Sequence, residues 1–230
     1  MSVTVFQRYE LKYQIDENQW TELLLKSAGR LRPDEHGASA ILSLYYDTQD
    51  FRLIRRSIES PVYKEKLRLR SYGLLTEGNV AFLELKKKFD GVVYKRRVKL
   101  SRDEVLGGSA GSRQIAEEIK YFRQFYGNLV PKFLILYDRL ALVGENDLRV
   151  TCDRNVRYRT SRLNLTSGLD GTPLLGRDKI LLEIKTGTAI PCWLTKILSE
   201  LKIYKAPFSK CGAAYQAEFF KNKTEVRNVG

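Results

Sequence analysis

The sequence predicts an α+β fold built on an antiparallel sheet or closed barrel of about eight strands, with helices inserted or appended. Two observations carry this. Short stretches of alternating polar and apolar residues recur along most of the chain, and a period of two belongs to strands. Residues 62–100 hold three such stretches joined by loops too short for crossover helices, which disfavours a parallel sheet.

The elements follow in order. Residues 5–14 (VFQRYELKYQ) alternate and read as a strand. Asp16 reads as the N-cap of a helix over 17–29, with Trp20, Leu23, Leu24 and the stem of Lys26 at helical spacing, ended by Gly29 or Pro33. Residues 40–47 are the next strand, and FRLIRRSIES is a helical turn stopped before Pro61. Strands follow at 62–72, 79–88 and 92–100, with KFDG at 88–91 as a hairpin turn, because Asp-Gly tolerates positive φ. GGSAG at 107–111 leads into a helix over 112–126. It lacks the GKS/T ending of a phosphate loop and reads as a connector. Strands at 132–142 and 147–159 are joined by GEND, and a polar loop over 160–178 precedes the compact strand 179–185. Helices over 192–202 and 209–221 complete the chain, with KNKTEVRNVG as a solvated tail. No repeat, low-complexity tract or long linker divides it, so residues 1–230 read as one domain.

Composition narrows the chemistry. The 230 residues are 43% hydrophobic and 29% charged, a soluble globular balance. No apolar run is long enough to span a bilayer and no signal core opens the chain, so a cytoplasmic location is expected. The net charge of +13 calls for a polyanionic partner and also permits surface association with a membrane. The single histidine, His36, reads as an exposed loop residue and excludes a histidine-based triad or a histidine-rich metal site. Cys152, Cys192 and Cys211 form no CxxC and read as small core residues in a reducing compartment.

The charges are not scattered. Strand geometry puts residues two apart on one face. Lys64, Lys66, Arg68 and Arg70 therefore share a face, opposite Glu65, Leu67 and Leu69. Phe82, Glu84, Lys86 and Lys88 share one, as do Lys95, Arg97 and Lys99. Arg139 aligns with Tyr137; Arg149 with Thr151 and Asp153; Glu183 with Lys185; and Arg8 with Glu10 and Lys12. A merely wetted face mixes Thr, Ser, Gln and Glu with its lysines. Seven strands with clustered cations point instead to an anion site, because close like charges cost energy until an anion neutralises them. Closed with this face inward, the strands would form a cationic tunnel for a linear polyphosphate or a nucleoside triphosphate. Glu10, Glu84 and Glu183 fit such a lining through a divalent cation bridging carboxylate and phosphate, or as salt-bridge partners of neighbouring lysines.

In order along the chain, Arg8-x-Glu10-x-Lys12-Tyr13, Tyr45-Tyr46-Asp47, Lys66-x-Arg68-x-Arg70, Glu84-x-Lys86, Lys95-x-Arg97, Tyr137-x-Arg139, Arg149-x-Thr151-x-Asp153, Glu183-x-Lys185 and Phe208-Ser209-Lys210 resemble the VTC-type polyphosphate polymerase domain. That domain belongs to the triphosphate tunnel metalloenzymes of the CYTH-like group. Each motif alone is weak; the ordered set is specific and covers nearly the whole chain. The resemblance implies an antiparallel eight-stranded β tunnel barrel with flanking helices. It implies transfer of the ATP γ-phosphate to growing inorganic polyphosphate, with pyrophosphate as a primer and Mn²⁺ or Mg²⁺ as cofactor. By position it implies Lys66, Arg68, Arg70, Arg139, Arg149 and Glu183 as catalytic residues, with Glu183 the metal ligand. Lys12, Lys86, Lys95, Arg97, Lys185 and Lys210 would bind phosphate, Lys185 also supporting Glu183.

The pattern departs from the family in two places. Pro207 stands where the family often has a lysine, and Lys205 is the candidate replacement. The first element has one acid where other tunnel enzymes have ExExK, which argues against a simple tripolyphosphatase. Neither a sensing SPX domain nor membrane helices are legible in the chain, and a membrane-protein partner is not shown by sequence. Two rivals stand beside the polymerase: a triphosphatase acting on tripolyphosphate or a nucleotide, and a non-catalytic polyphosphate-binding module. A specific nucleic-acid role is not expected. No RRM, KH or helix-turn-helix pattern occurs, and Tyr13, Tyr45, Tyr46, Tyr63, Tyr72 and Tyr94 read as strand core rather than base-stacking platforms.

Overall fold

The computed structural model describes residues 9–59, 62–90, 92–107, 113–187 and 189–227, with the side chains of 36, 113–116 and 220–227 left aside. The elements are β1 (Tyr9–Asp16), α1 (Glu17–Lys26), β2 (Arg32–Asp47), α2 (Arg52–Ile58), β3 (Tyr63–Tyr72), β4 (Val80–Phe89), β5 (Val92–Ser101), α3 (Arg102–Leu106) and α4 (Arg113–Tyr126). They continue with β6 (Val130–Val143), β7 (Arg149–Arg159), β8 (Thr172–Pro173), β9 (Lys179–Thr186), α5 (Cys192–Glu200) and α6 (Lys210–Arg227). The strand order is β1-β9-β7-β6-β2-β3-β4-β5, with the short β8 beside β7. The α+β class and the eight long strands agree with expectation. The path has β1 at one end and β5 at the other. Beyond its ladder with β4, β5 meets α3 and α4.

Local chemistry explains the elements. Asp16 caps α1 in a capping box: its carboxylate accepts from Gln19 N–H at 2.8 Å, and the Gln19 side chain accepts from Asp16 N–H at 3.1 Å. Buried Asp47, of the Tyr45-Tyr46-Asp47 motif, accepts from the N–H groups of Thr48, Leu53 and Ile54 at 2.8–2.9 Å. It thereby satisfies the first turn of α2, whose preceding residue Phe51 offers no side-chain cap. GEND turns tightly, with Asn146 and Asp147 at φ 52° and 58°, positions that Asn and Asp tolerate.

Several expectations are corrected. The strand expected at 40–47 begins at Arg32 and takes in Pro33, Asp34 and His36, so the polar-loop reading of that segment fails. Gly37, at φ 52°, lets the strand continue through an irregular step, where its N–H donates to the Asp34 carboxylate at 2.9 Å. The region after β5 holds a separate capped helix, α3, before α4. Helix α6 runs to Arg227, so most of the supposed tail is helical. Cys152 and Cys211 are buried, but Cys192 is exposed at the start of α5. Arg8 and most of GGSAG lie outside the described residues, as does the side chain of His36.

The chain forms two compact units, each assembled from several segments. One comprises 1–40, 137–156 and 175–208; the other comprises 41–136, 157–174 and 209–230. Strands β2, β6 and β7 contribute residues to both. The first unit buries Tyr13 and Ile15 of β1, Val150 and Cys152 of β7, and Ile180, Leu182 and Ile184 of β9 beneath Trp20 and Leu23 of α1 and Leu194, Ile197 and Leu198 of α5. The second buries Leu67 and Leu69 of β3, Leu83 and Leu85 of β4, and Val98 and Leu100 of β5 beneath Ile119, Phe122 and Tyr126 of α4. Each fully buried Leu or Ile contributes about 2 kcal/mol. In both units the apolar set is the half of each strand opposite the predicted cations. Burying that half leaves the cations on the other face.

Candidate phosphate-binding site

In the second unit the cations stand in register across three strands. Lys66 lies opposite Lys86, which lies opposite Lys95. One pleat further on, Arg68 lies opposite Glu84, which lies opposite Arg97. Glu84 is the hub. Its side chain is 1% exposed, and Lys95 Nζ, Arg68 Nε, Arg97 Nε and Arg70 Nε lie 2.6, 2.7, 3.5 and 4.0 Å from its oxygens. Burial opposes its charge, but Arg68, Arg70 and Lys95 outweigh burial and hold the carboxyl well below the ordinary range. Burial, with Arg68 and Arg70 nearby, pushes the Lys95 ammonium down to about 8 against the pull of Glu84.

The surrounding groups fix these donors in direction. Tyr45 OH accepts from Arg68 at 3.0 Å, and Ser43 Oγ accepts from Arg70 at 3.1 Å. The Arg97 guanidinium lies over the Phe82 ring, 3.5 Å from its centroid, and donates to Tyr72 OH at 3.3 Å. Lys66 donates to Ser209 Oγ at 3.2 Å. Ser209 in turn accepts from Gly212 N–H at 3.2 Å and so caps α6, which begins at Lys210. Lys66 and Lys210 are thus brought to the positive end of one helix, a favourable place for an anion.

The first unit holds a second cluster. β1 pairs with β9 and β9 with β7, which sets Lys12 and Thr151 on either side of Glu183, and Glu10 and Arg149 on either side of Lys185. Lys185 Nζ is 2.8 Å from Glu183 and 3.5 Å from Glu10. Arg139 donates two hydrogen bonds to the buried Asp153 carboxylate, at 2.6 and 2.8 Å. Arg149 pairs with Asp34 at 2.7 Å beside a cleft of about 360 Å³ lined by Arg32, Pro33, Asp34, Glu35, Val143 and Arg149. Lys12 donates to Phe208 O at 3.0 Å. Thr151 Oγ1 is buried with no hydrogen-bond partner among the described residues. The buried orphan hydroxyl of Thr151 beside the Glu183 carboxylate offers oxygen ligands to a hard cation, with Lys185 as the competing cation on that carboxylate. No cluster of three His, Cys, Asp or Glu side chains occurs among the described residues. A metal here would rest on Glu183, with Thr151 opposite it across the β7–β9 ladder and Glu10 sharing Lys185 with it.

Each predicted strand residue lies on the face opposite the buried apolar set, and Lys210 begins α6. Lys66, Arg68, Arg70, Lys86, Lys95, Arg97 and Lys210 belong to the second unit, and Lys12, Arg139, Arg149, Glu183 and Lys185 to the first. Of the two expectations for Glu84, the salt-bridge one is realised: its oxygens lie against Lys95, Arg68, Arg97 and Arg70. Asp34 was missed because Pro33 and Gly37 gave its segment the signature of a loop. Lys205, the candidate replacement at Pro207, is exposed and bridges to Tyr13, while the adjacent Ala206 N–H donates to Lys12 O at 2.9 Å. Tyr13 and Tyr45 are buried as core, while Tyr72 and Tyr94 are 40% and 48% exposed.

No curated protein matches the chain. Among solved structures it is similar to a candidate adenylate cyclase from Vibrio parahaemolyticus, at 10% identity and TM-score 0.49, covering 90% of this chain and 97% of that one. It is similar to a Pyrococcus horikoshii OT3 protein at 15% identity and TM-score 0.48, covering 91% and 99%. It is also similar to a candidate adenylyl cyclase from Hippeastrum, described as having a dominant triphosphatase activity, at 16% identity and TM-score 0.49, covering 87% and 91%. The VTC domain model matches residues 7–219, a span holding both clusters and every predicted site residue, and the chain belongs to the VTC domain family.

Proposed function

We propose that the protein is a polyphosphate polymerase, a phosphotransferase of the cytoplasm that moves the γ-phosphoryl group of ATP onto the end of an inorganic polyphosphate chain. The VTC domain match over residues 7–219 carries the reading. The in-register cations of β3, β4 and β5 support it, because a linear polyanion matches a ladder of donors better than a single phosphate does. In the reaction the bond from the β,γ-bridging oxygen to the γ-phosphorus breaks and ADP leaves. A terminal oxygen of the chain forms the new P–O bond. That oxygen is already ionised, so no base has to take a proton.

The residues bind and orient. Arg68 and Arg70, aimed by Tyr45 and Ser43, offer directed two-pronged donors. Lys66, Lys86, Lys95 and Lys210 supply point charges. In the first unit Arg139 and Arg149, held by Asp153 and Asp34, offer guanidinium donors to phosphate oxygens. Mn²⁺ or Mg²⁺, held by Glu183 with Thr151 and Glu10 at hand, would neutralise charge on the phosphate oxygens when bound.

The test is incubation with ATP and Mn²⁺, with and without pyrophosphate, and a gel stained for polyphosphate. Long chains plus ADP are expected. Orthophosphate alone would make the protein a triphosphatase, and tight tripolyphosphate binding without turnover would make it a binding module.

A further inference from the structure

The opposite side of the second unit carries an aromatic ridge that phosphate binding does not use. Helix α4 buries Ile119, Phe122 and Tyr126 in the core, yet Tyr121 and Phe125, one turn apart, stand 66% and 56% exposed with their rings stacked. Phe125 packs edge-on against Tyr126. Tyr126 OH and Tyr63 OH both donate to the buried Glu65 carboxylate at 2.5 Å, and Tyr63 leans on the exposed Phe89. Two ring groups, Phe89–Tyr63 and Tyr126–Phe125–Tyr121, are thus joined through Glu65. The fold needs only their inner members. An exposed Phe–Tyr pair is a cost in water unless something covers it.

Cations flank these rings. The Arg52 guanidinium lies 5.9 Å from the Phe125 ring centroid and 5.4 Å from that of Tyr126. Arg56, Lys120 and Arg123 are exposed on α2 and α4. Of the neighbouring acids, Asp50 is paired with Arg55, Glu118 with Arg96, and Glu65 is enclosed, leaving Glu59 and Glu117 exposed. Aromatic rings interleaved with long cationic side chains are the side-chain set that seats at an anionic lipid surface, with rings at the headgroup level and cations over lipid phosphates.

We propose that the α2–α4 face of the second unit is a docking surface for an anionic membrane, with Tyr121 and Phe125 as its inserting residues. This is independent of the polymerase reading. The full chain is sedimented with vesicles of phosphatidylcholine alone and of phosphatidylcholine mixed with phosphatidylserine. Saturating inorganic tripolyphosphate is present throughout, so that the cationic strand face is occupied. Binding to the anionic vesicles only is expected, with a loss of about tenfold or more in a Tyr121→Ser/Phe125→Ser double variant whose melting temperature and tripolyphosphate affinity stay at the wild-type values. An Arg52→Gln/Arg56→Gln variant should also bind less and flatten the salt dependence. The proposal is overturned if wild type ignores anionic vesicles under tripolyphosphate, or if the double variant sediments like wild type. Binding of single-stranded RNA through the same four residues, with no vesicle binding, would overturn it in favour of a nucleic-acid surface.

Discussion

Replacing Glu84 by Gln keeps the shape of the hub and removes its charge. Two effects follow, and each has a sign. The side chain is 1% exposed and holds Arg68 and Lys95 at 2.7 and 2.6 Å. Leaving such cations uncompensated costs about 3–5 kcal/mol, or roughly 10 °C in melting temperature for a chain of this size. Binding moves the other way. A phosphate held by the same guanidiniums would lie about 5 Å from the carboxylate, where like unit charges repel by roughly 3 kcal/mol at an effective dielectric of about 20. Salt and solvent at the open face reduce this, leaving about 1.5 kcal/mol, or roughly tenfold tighter tripolyphosphate binding. Turnover should nevertheless fall, since Arg68 and Lys95 lose the partner that aims them. The assay is calorimetric titration with inorganic tripolyphosphate, alongside melting curves with and without it. The variant should melt low without the anion and recover more than wild type when it is added. Unchanged melting together with unchanged or weaker binding would refute the view of Glu84 as a tethered counter-ion. The pH dependence is fixed in sign as well. The Glu84 pKa is depressed in the fold, so the stability gap between wild type and E84Q should hold from neutral pH down to about 5 and close as the carboxyl protonates below that.

Lys95 titrates at about 8 in the free protein. An anion prefers its charged form, so tripolyphosphate binding should take up a proton above that pH. Affinity should then weaken by up to about tenfold per pH unit, and Lys95→Met should remove the slope; titration in buffers of different ionisation enthalpy reads both. Glu183→Gln should weaken Mn²⁺ binding on the order of 100-fold by calorimetry. Lys185→Met should tighten it by freeing Glu183, and opposite outcomes would move the metal elsewhere. Tyr126→Phe removes a 2.5 Å hydrogen bond to buried Glu65, and should cost about 1.5–3 kcal/mol by urea unfolding. A loss near zero would mean that Tyr63, with Lys87 3.7 Å away, satisfies that carboxylate.

Much of this was legible in the linear chain, and the reason is geometric. A strand has a side-chain period of two, so the order Lys66-x-Arg68-x-Arg70 commits its cations to one face as soon as Leu67 and Leu69 are buried. The same reasoning placed Glu183 and Lys185 beside each other. Helix α1 was readable from Asp16 and Gln19, because a capping box is a local bond. The chain alone also carried the family, through motifs whose order needs no folded contact. The tertiary structure decided what depends on residues far apart. It set β1 and β5 at the two ends of the strand path. It ran β2 through Pro33 and Gly37, because neighbouring strands can support a segment that local propensity disfavours. It paired Arg149 with Asp34, 115 positions away. It also chose between the two readings of Glu84, making it the anchor of four cations. Charge on a strand face follows from local spacing, whereas the partner that neutralises each charge is set by strand register and packing.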